Sequence, residues 1–324
     1  MSCERPADFA GVAEVVKSSE RVFFVGQGRH LVTQHEGTCV SLSNFSSTLE
    51  VSQEDLYVTV QAGKALSELS RELESRGLFL PIVHNGTVGG ALGLNVPSEF
   101  SFWFGYPSDL VLEARTVTGL GEVVRTGAKT PKFSSGYKIY KALAGSLGLL
   151  GAYLEVTFKV FPKPESLVYA LVSDPKKALE SPFRPYGGIA INLDGLISYV
   201  VIGGWKEKVD RAVRELGARA VTEERPRLEA LESCTRLASV SVPRGLEADY
   251  LSRLGRGVGY IGSGTVLLCN PDVKELRRRG FTAVVIRGCH RGEDCFGFKS
   301  RTLELLSKAL DPQGKFLTIN PLPW

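Results

Sequence analysis

The feature that most constrains this chain is a run of ten residues, Gly86-Thr87-Val88-Gly89-Gly90-Ala91-Leu92-Gly93-Leu94-Asn95, four of which are glycine. Ordering glycine costs more conformational entropy than ordering any other residue. A run this rich inside a globular chain implies a backbone that something approaches closely; a tight packing turn is the alternative. Thr87 and Asn95 add side-chain hydrogen-bonding groups. Two further glycine loops lie in the same half of the chain. Val25-Gly26-Gln27-Gly28-Arg29-His30 follows a strand predicted over Arg21–Val25, and Gly145-Ser146-Leu147-Gly148-Leu149-Leu150-Gly151 runs into one predicted over Tyr153–Phe161. Without a Cβ, backbone N–H groups can close on phosphate oxygens. The first loop fails the Rossmann pattern: its third glycine would fall at Leu31, and the residues beyond read as extended, not helical. Each loop taken singly is compatible with a plain turn. Together they suit a dinucleotide, with two loops clasping the pyrophosphate and the third lining a ring system.

The 324 residues are enough for two domains. No run of about 18 apolar residues occurs, and the N-terminus lacks the layout of a signal peptide, which together predict a cytoplasmic protein without a transmembrane segment. The net charge of +4, from 39 basic and 35 acidic residues, gives no reason to expect nucleic acid. The densest basic run, Arg277 to Arg279, reads as a solvated helix end. The six cysteines form no Cys-x-x-Cys pair, so no metal or iron–sulfur centre is expected. Buried thiols, or one loop disulfide between Cys289 and Cys295, are the expectation.

Leu56–Gln61 reads as a strand and Lys64–Arg76 as an amphipathic helix closed by Gly77. Leu110–Thr118 and Glu122–Thr126 read as a hairpin, and Tyr137–Gly145 as a short helix. The prolines at 162 and 164 mark a boundary. Beyond it, strands over Leu167–Ser173, Gly188–Leu193, Leu196–Ile202, Val266–Cys269 and Ala283–Arg287 alternate with helices over Lys206–Leu216, Asp272–Arg279 and Lys299–Leu310. Strands in adjacent pairs with helices inserted predict an α+β layer with antiparallel pairing.

In order and spacing these motifs resemble the FAD-binding domain shared by vanillyl-alcohol oxidase and p-cresol methylhydroxylase relatives, with a particular likeness to the FAD-binding subunit of glycolate oxidase. Val25 to Arg29 stand where that family has an Arg-Gly-Gly-Gly-Ser loop, and Gly86 to Gly90 carry its Gly-Thr-x-Gly-Gly. Phe104-Gly105-Tyr106-Pro107-Ser108-Asp109, Lys132 to Lys138, Gly145 to Gly151 with Glu155-Val156-Thr157, and Asp311 to Phe316 with Asn320-Pro321 follow in family order. Lys138 replaces the family's Asp, three residues separate Phe316 from Asn320, and the metal- or substrate-binding histidine segment of many relatives is missing. The resemblance implies a two-lobed FAD-binding domain over 1–165, an α+β cap or substrate domain over 166–304, and a tail over 305–324 returning to the cofactor domain. The FAD contacts it implies are Val25, Gly26, Gln27, Gly28, Arg29, His30, Gly86, Thr87, Val88, Gly89, Gly90, Asn95, Asp109, Gly148, Gly151, Tyr153 and Asn320. His30 lies one position beyond the residue that matches a covalent flavin link in some relatives, so non-covalent FAD is expected.

The implied activity is FAD-dependent oxidation of a small anionic 2-hydroxy acid, such as glycolate or D-lactate, to the 2-oxo acid. This needs a base for the hydroxyl and a cation for the carboxylate. Arg287 and His290 are the catalytic candidates. A surface pairing of Arg287 with Glu293 or Asp294 is the alternative. Two other functions fit the resemblance. One is an FAD or electron-transfer subunit without its own substrate site, dependent on a second flavoprotein or an iron–sulfur acceptor subunit, peripheral to a membrane through those partners. The other is a flavin reductase of the cell-wall-precursor type, which would need NADPH.

Overall fold

A computed structural model describes residues 2–28, 35–129, 138–228, 231, 233–319 and 322–323. An N-terminal helix, Phe9–Ser18, is capped by the Asp8 carboxylate, which accepts from Gly11 N. It packs Val12 and Val16 into the first core. Strands Val22–Val25 and Thr38–Ser41 pair in parallel, Val22 opposite Thr38 and Val25 opposite Ser41. A five-stranded antiparallel sheet follows, in the order Thr48–Ser52, Tyr57–Gln61, Ala152–Lys159, Val111–Val117, Val123–Gly127. The predicted hairpin forms its last two strands. Helix Leu66–Ser75 buries Leu66, Leu69 and Leu73, the spacing read from the sequence.

The second sheet has eight strands, all antiparallel, ordered Ala220–Thr222, Ser166–Leu171, Leu196–Gly204, Gly187–Asn192, Gly257–Ile261, Thr265–Cys269, Leu237–Ser241, Ala283–Arg287. Helices Lys206–Glu215 and Glu247–Leu254 pack against it, burying Val209 and Ala212 from one and Ala248 and Leu251 from the other. The architecture is thus mixed α+β with antiparallel pairing in both large sheets. The chain then returns to the first core through helix Arg301–Leu310, whose Leu303, Leu306 and Leu310 pack there, and through Phe316, fully buried in it.

The two regions meet at a polar anchor. Glu99 is completely buried and takes a two-pronged contact from Arg225, together with a 3.2 Å hydrogen bond from Tyr169 Oη. Burial, and then the Glu99 charge, push the Tyr169 phenol well above its ordinary range. Tyr106 Oη adds a 3.0 Å hydrogen bond to the Ser263 carbonyl.

Three sequence expectations change. The cysteines are not free thiols with at most one bridge: Cys3–Cys39, Cys234–Cys269 and Cys289–Cys295 are all disulfides. Spacing carries no connectivity, so only the short loop was foreseen. Of the basic run, Arg278 and Arg279 are exposed at the helix end as expected, but Arg277 is not a solvated residue. Its guanidinium donates to the carbonyls of Ala283 and Asp294, stitching the helix Val273–Arg278 to the edge strand. The second glycine run is mostly helix, over Val88–Leu94. Glycine's poor helix propensity, about 1 kcal/mol per residue relative to alanine, is overridden by the Thr87 N-cap and by packing.

Candidate cofactor site

The helix Val88–Leu94 organises the site. Thr87 Oγ1 accepts from Gly90 N at 3.3 Å, and Asn95, in the left-handed conformation, closes the helix. The first turn's backbone donors are occupied within the fold. Val88 N donates to Lys64 O, Gly89 N to Ala62 O and Ala91 N to Thr87 O. The open donors expected of this segment are therefore not its contribution; its glycines contribute surface.

The other two loops dock on this helix. A Cβ on Gly26 would come within 2.7 Å of Thr87 Cγ2, so the first loop closes onto the helix cap only as glycine. The third loop takes the far end: Gly145 N donates to Leu92 O and Leu147 N to Gly93 O, both at 3.0 Å. Leu147 and Gly148 both have positive φ, 55° and 85°. That conformation is strained for leucine and natural for glycine.

Between the three loops runs an open cleft lined by residues of all three. Of the residues expected to touch FAD, Val25, Gly26, Thr87, Gly89, Gly90, Gly148, Gly151 and Tyr153 line it. The cleft also takes in Phe23, His35, Gly93, Leu147 and Thr318, which the sequence reading missed. A Cβ built on Gly93 or Gly148 meets nothing within 4 Å, and one on Gly90 only brushes side-chain atoms at 3.4 Å and beyond. These glycines do not make room for protein atoms. They keep a cradle open that side chains would narrow, which fits a large flat ligand lying on the helix.

The remaining expected contacts sit elsewhere. Gln27, Gly28 and Gly86 flank the cleft in sequence without lining it, and Val88 is buried in the first core. Asn95 Oδ1 accepts from Ser108 N at 3.1 Å, and Asp109 accepts from Tyr106 N and faces Lys141. Both hold the loop after the helix in place. Arg29, His30, Asn320 and the 132–137 motif lie outside the described residues. The two catalytic candidates do not line the cleft. Arg287 donates through Nη2 to the carbonyls of Leu231 and Cys234, at 2.6 and 2.7 Å, and His290 is exposed. Glu293 pairs with Arg236 instead of Arg287, and Asp294 accepts from Phe296 N and Gly297 N.

Among the described residues lining the cleft, none carries a formal charge at neutral pH. His35 is the titratable exception, and burial pushes its imidazole down to about 4. Tyr153 donates its hydroxyl to Tyr140 O, and burial raises its pKa far above the ordinary phenol value.

Three glycine loops gathered around one cleft on a mixed α+β scaffold are the arrangement expected of a dinucleotide site. Residues 3–127 match the family described as FAD binding domain. It is 32% identical to a D-lactate dehydrogenase of Anaerostipes hadrus over 139 residues, 42% of this chain and 29% of that protein. It is 33% identical to glycolate oxidase subunit GlcE of Escherichia coli (strain K12) over 117 residues, 35% of this chain and 33% of that protein. The matched stretch is thus about a third of each relative's length. The fold is similar to that of alkyldihydroxyacetonephosphate synthase, with a TM-score of 0.65 at 15% identity, covering 96% of this chain and 75% of that one. Among the described residues no helix is long and apolar enough to cross a membrane.

Proposed function

We propose that the cleft holds one FAD without a covalent link, and that the protein is an FAD-linked oxidoreductase oxidising a 2-hydroxy acid, such as glycolate or D-lactate, to the 2-oxo acid. The observation that carries this reading is the pair of glycines 90 and 93, facing open cleft where neither backbone conformation nor packing needs them, with Gly148 facing the same cleft from the third loop. When bound, FAD supplies the two-electron acceptor. The chain's own residues would do the rest. Gly90 and Gly93 let the cofactor lie against the helix, and Gly148 does the same from the third loop. Thr87 fixes the cap on which the first loop rests, and the apolar lining of Phe24, Leu42, Leu94 and Leu147 excludes water. The test is the visible spectrum of the purified protein supplemented with FAD, followed by anaerobic bleaching with a panel of 2-hydroxy acids. Flavin bound and bleached by one of them is expected; failure to bind flavin contradicts the proposal.

The uncharged lining favours a second reading of the same site. Holding a carboxylate calls for a cation, and among the described residues the cleft offers none. Arg287 could serve only by exchanging its bonds to Leu231 and Cys234 for substrate, and His290 only by a movement toward the cleft. An FAD subunit whose substrate or electron acceptor is completed by a partner flavoprotein or iron–sulfur subunit meets this requirement. An isolated chain that binds FAD but is not bleached by any acid, and gains bleaching with a copurified partner, distinguishes the two.

A further inference from the structure

Four polar side chains line the cleft among the described residues: His35, Thr87, Tyr153 and Thr318. Two of them serve the fold. Thr87 caps a helix and Tyr153 bonds the Tyr140 carbonyl. The other two bond each other, with His35 Nδ1 2.8 Å from Thr318 Oγ1, and the Thr318 hydroxyl also donates to the Phe316 carbonyl at 3.5 Å. The imidazole lies flat on Phe23, ring centroids 4.8 Å apart and planes 15° from parallel.

Thr318 is delivered to the cleft by a heavily fixed segment. The Asp311 carboxylate accepts from Lys315 N at 2.9 Å and Phe316 N at 2.7 Å. Lys315 is itself buried, and its ammonium donates to the carbonyls of Val16 and Lys17 at the end of the first helix, each at 2.7 Å. Phe316 is seated in the first core and Ile319 in the second. Thr318 therefore sits where the chain passes from one core to the other, with its hydroxyl on the cleft wall. Packing alone would be met by valine at 318 and phenylalanine at 35. A desolvated polar pair costs free energy unless its hydrogen bonds are all used, and the bond to Thr318 uses only one of the two ring nitrogens of His35.

We propose that His35, steadied by Phe23 and Thr318, is a cofactor-contacting residue that turns its other ring nitrogen to a hydrogen-bonding group of the bound dinucleotide. Thr318 is then a positioning residue: it sets the plane and tautomer of the ring from the C-terminal side. Because burial keeps the ring neutral near pH 7, the contact is a directional hydrogen bond and not an ion pair with phosphate. The inference rests on the reading of the cleft as an FAD site.

The experiment measures the FAD dissociation rate by recovery of flavin fluorescence, and the flavin absorption spectrum, in His35→Phe, Thr318→Val and the double variant of the full chain. His35→Phe keeps the stack on Phe23 and Thr318→Val keeps the volume, so each spares the packing. Each single variant is expected to release FAD roughly tenfold faster, with a shifted absorption band and a flavin-free melting temperature close to that of the parent. The double variant is expected to release it no faster than the worse single, because the two residues act as one unit. Unchanged release in both singles, multiplying effects in the double, or loss of affinity that merely follows a falling flavin-free melting temperature would each overturn the proposal. A parent protein that binds no FAD would instead refute the reading of the cleft itself.

Discussion

A Cβ placed on Gly26 would stand 2.7 Å from Thr87 Cγ2 and closer still to its hydroxyl. The first loop and the cap of the helix Val88–Leu94 touch only because residue 26 has no side chain. Gly26→Ala should therefore destabilise the protein by about 1–3 kcal/mol, the usual cost of overpacking. Thr87→Ala alone should cost about 0.5–2 kcal/mol through the lost cap. Combined, they should cost less than their sum, because the second change removes the atoms struck by the first. Additive losses in denaturant unfolding would show that the two loops are not in contact.

The glycine loops were legible because glycine's chemistry is local: a missing Cβ marks a backbone that something approaches. What they build was not. Gly86–Asn95 reads as loop on composition, and only the Thr87 cap and packing make most of it a helix. His35 and Thr318 are 283 positions apart, and no spacing rule connects them. The same holds for Glu99 and Arg225, and for the Cys3–Cys39 and Cys234–Cys269 bridges. The strands Leu237–Ser241 and Gly257–Ile261 were missed because each is short and carries glycine or serine among its apolar residues; their pairing partners define them. Arg287 drew attention as a cation at a strand end, yet its guanidinium bonds carbonyls of the segment beside it.

The Glu99–Arg225 pair makes a stability prediction. Removing one partner leaves a buried charge uncompensated, which costs about 3–5 kcal/mol. Arg225→Met should lower stability on that scale, and Glu99→Leu with Arg225→Met should recover much of the loss. A double variant no more stable than Arg225→Met alone would show that the charges are not each other's main compensation.

Acid should weaken the protein through His35. Its folded-state value is lowered to about 4 from the ordinary 6.5. Between these values the unfolded chain binds more protons than the folded one, so stability is full above about pH 6.5 and falls as the pH drops toward 4. His35→Phe should flatten this part of the melting-temperature profile. An identical slope in the variant would mean that other groups set it.

The disulfides Cys3–Cys39 and Cys234–Cys269 close long loops, with sequence separations of 36 and 35, against 6 for Cys289–Cys295. Loop-closure entropy grows with length, and a bridge of this kind contributes about 2–4 kcal/mol. Paired replacement of Cys3 and Cys39 by serine should lower the unfolding free energy more than the same change at Cys289 and Cys295. Titration of the unfolded, unreduced protein should find no free thiol; a full complement of reactive thiols would contradict the pairing.

If the helix Val88–Leu94 forms the floor of an FAD site, a side chain at position 93 should block the cofactor and spare the fold. The Cβ position of Gly93 faces open cleft, and replacing glycine in a helix with a better helix former stabilises by up to about 1 kcal/mol. The decisive measurement is an FAD titration of the flavin-free protein and its Gly93→Leu variant, each with a melting curve. The parent is expected to bind one FAD per chain, and the variant to melt at or above the parent temperature while losing FAD affinity by at least roughly tenfold. A variant that binds FAD as tightly as the parent would contradict this role of the helix.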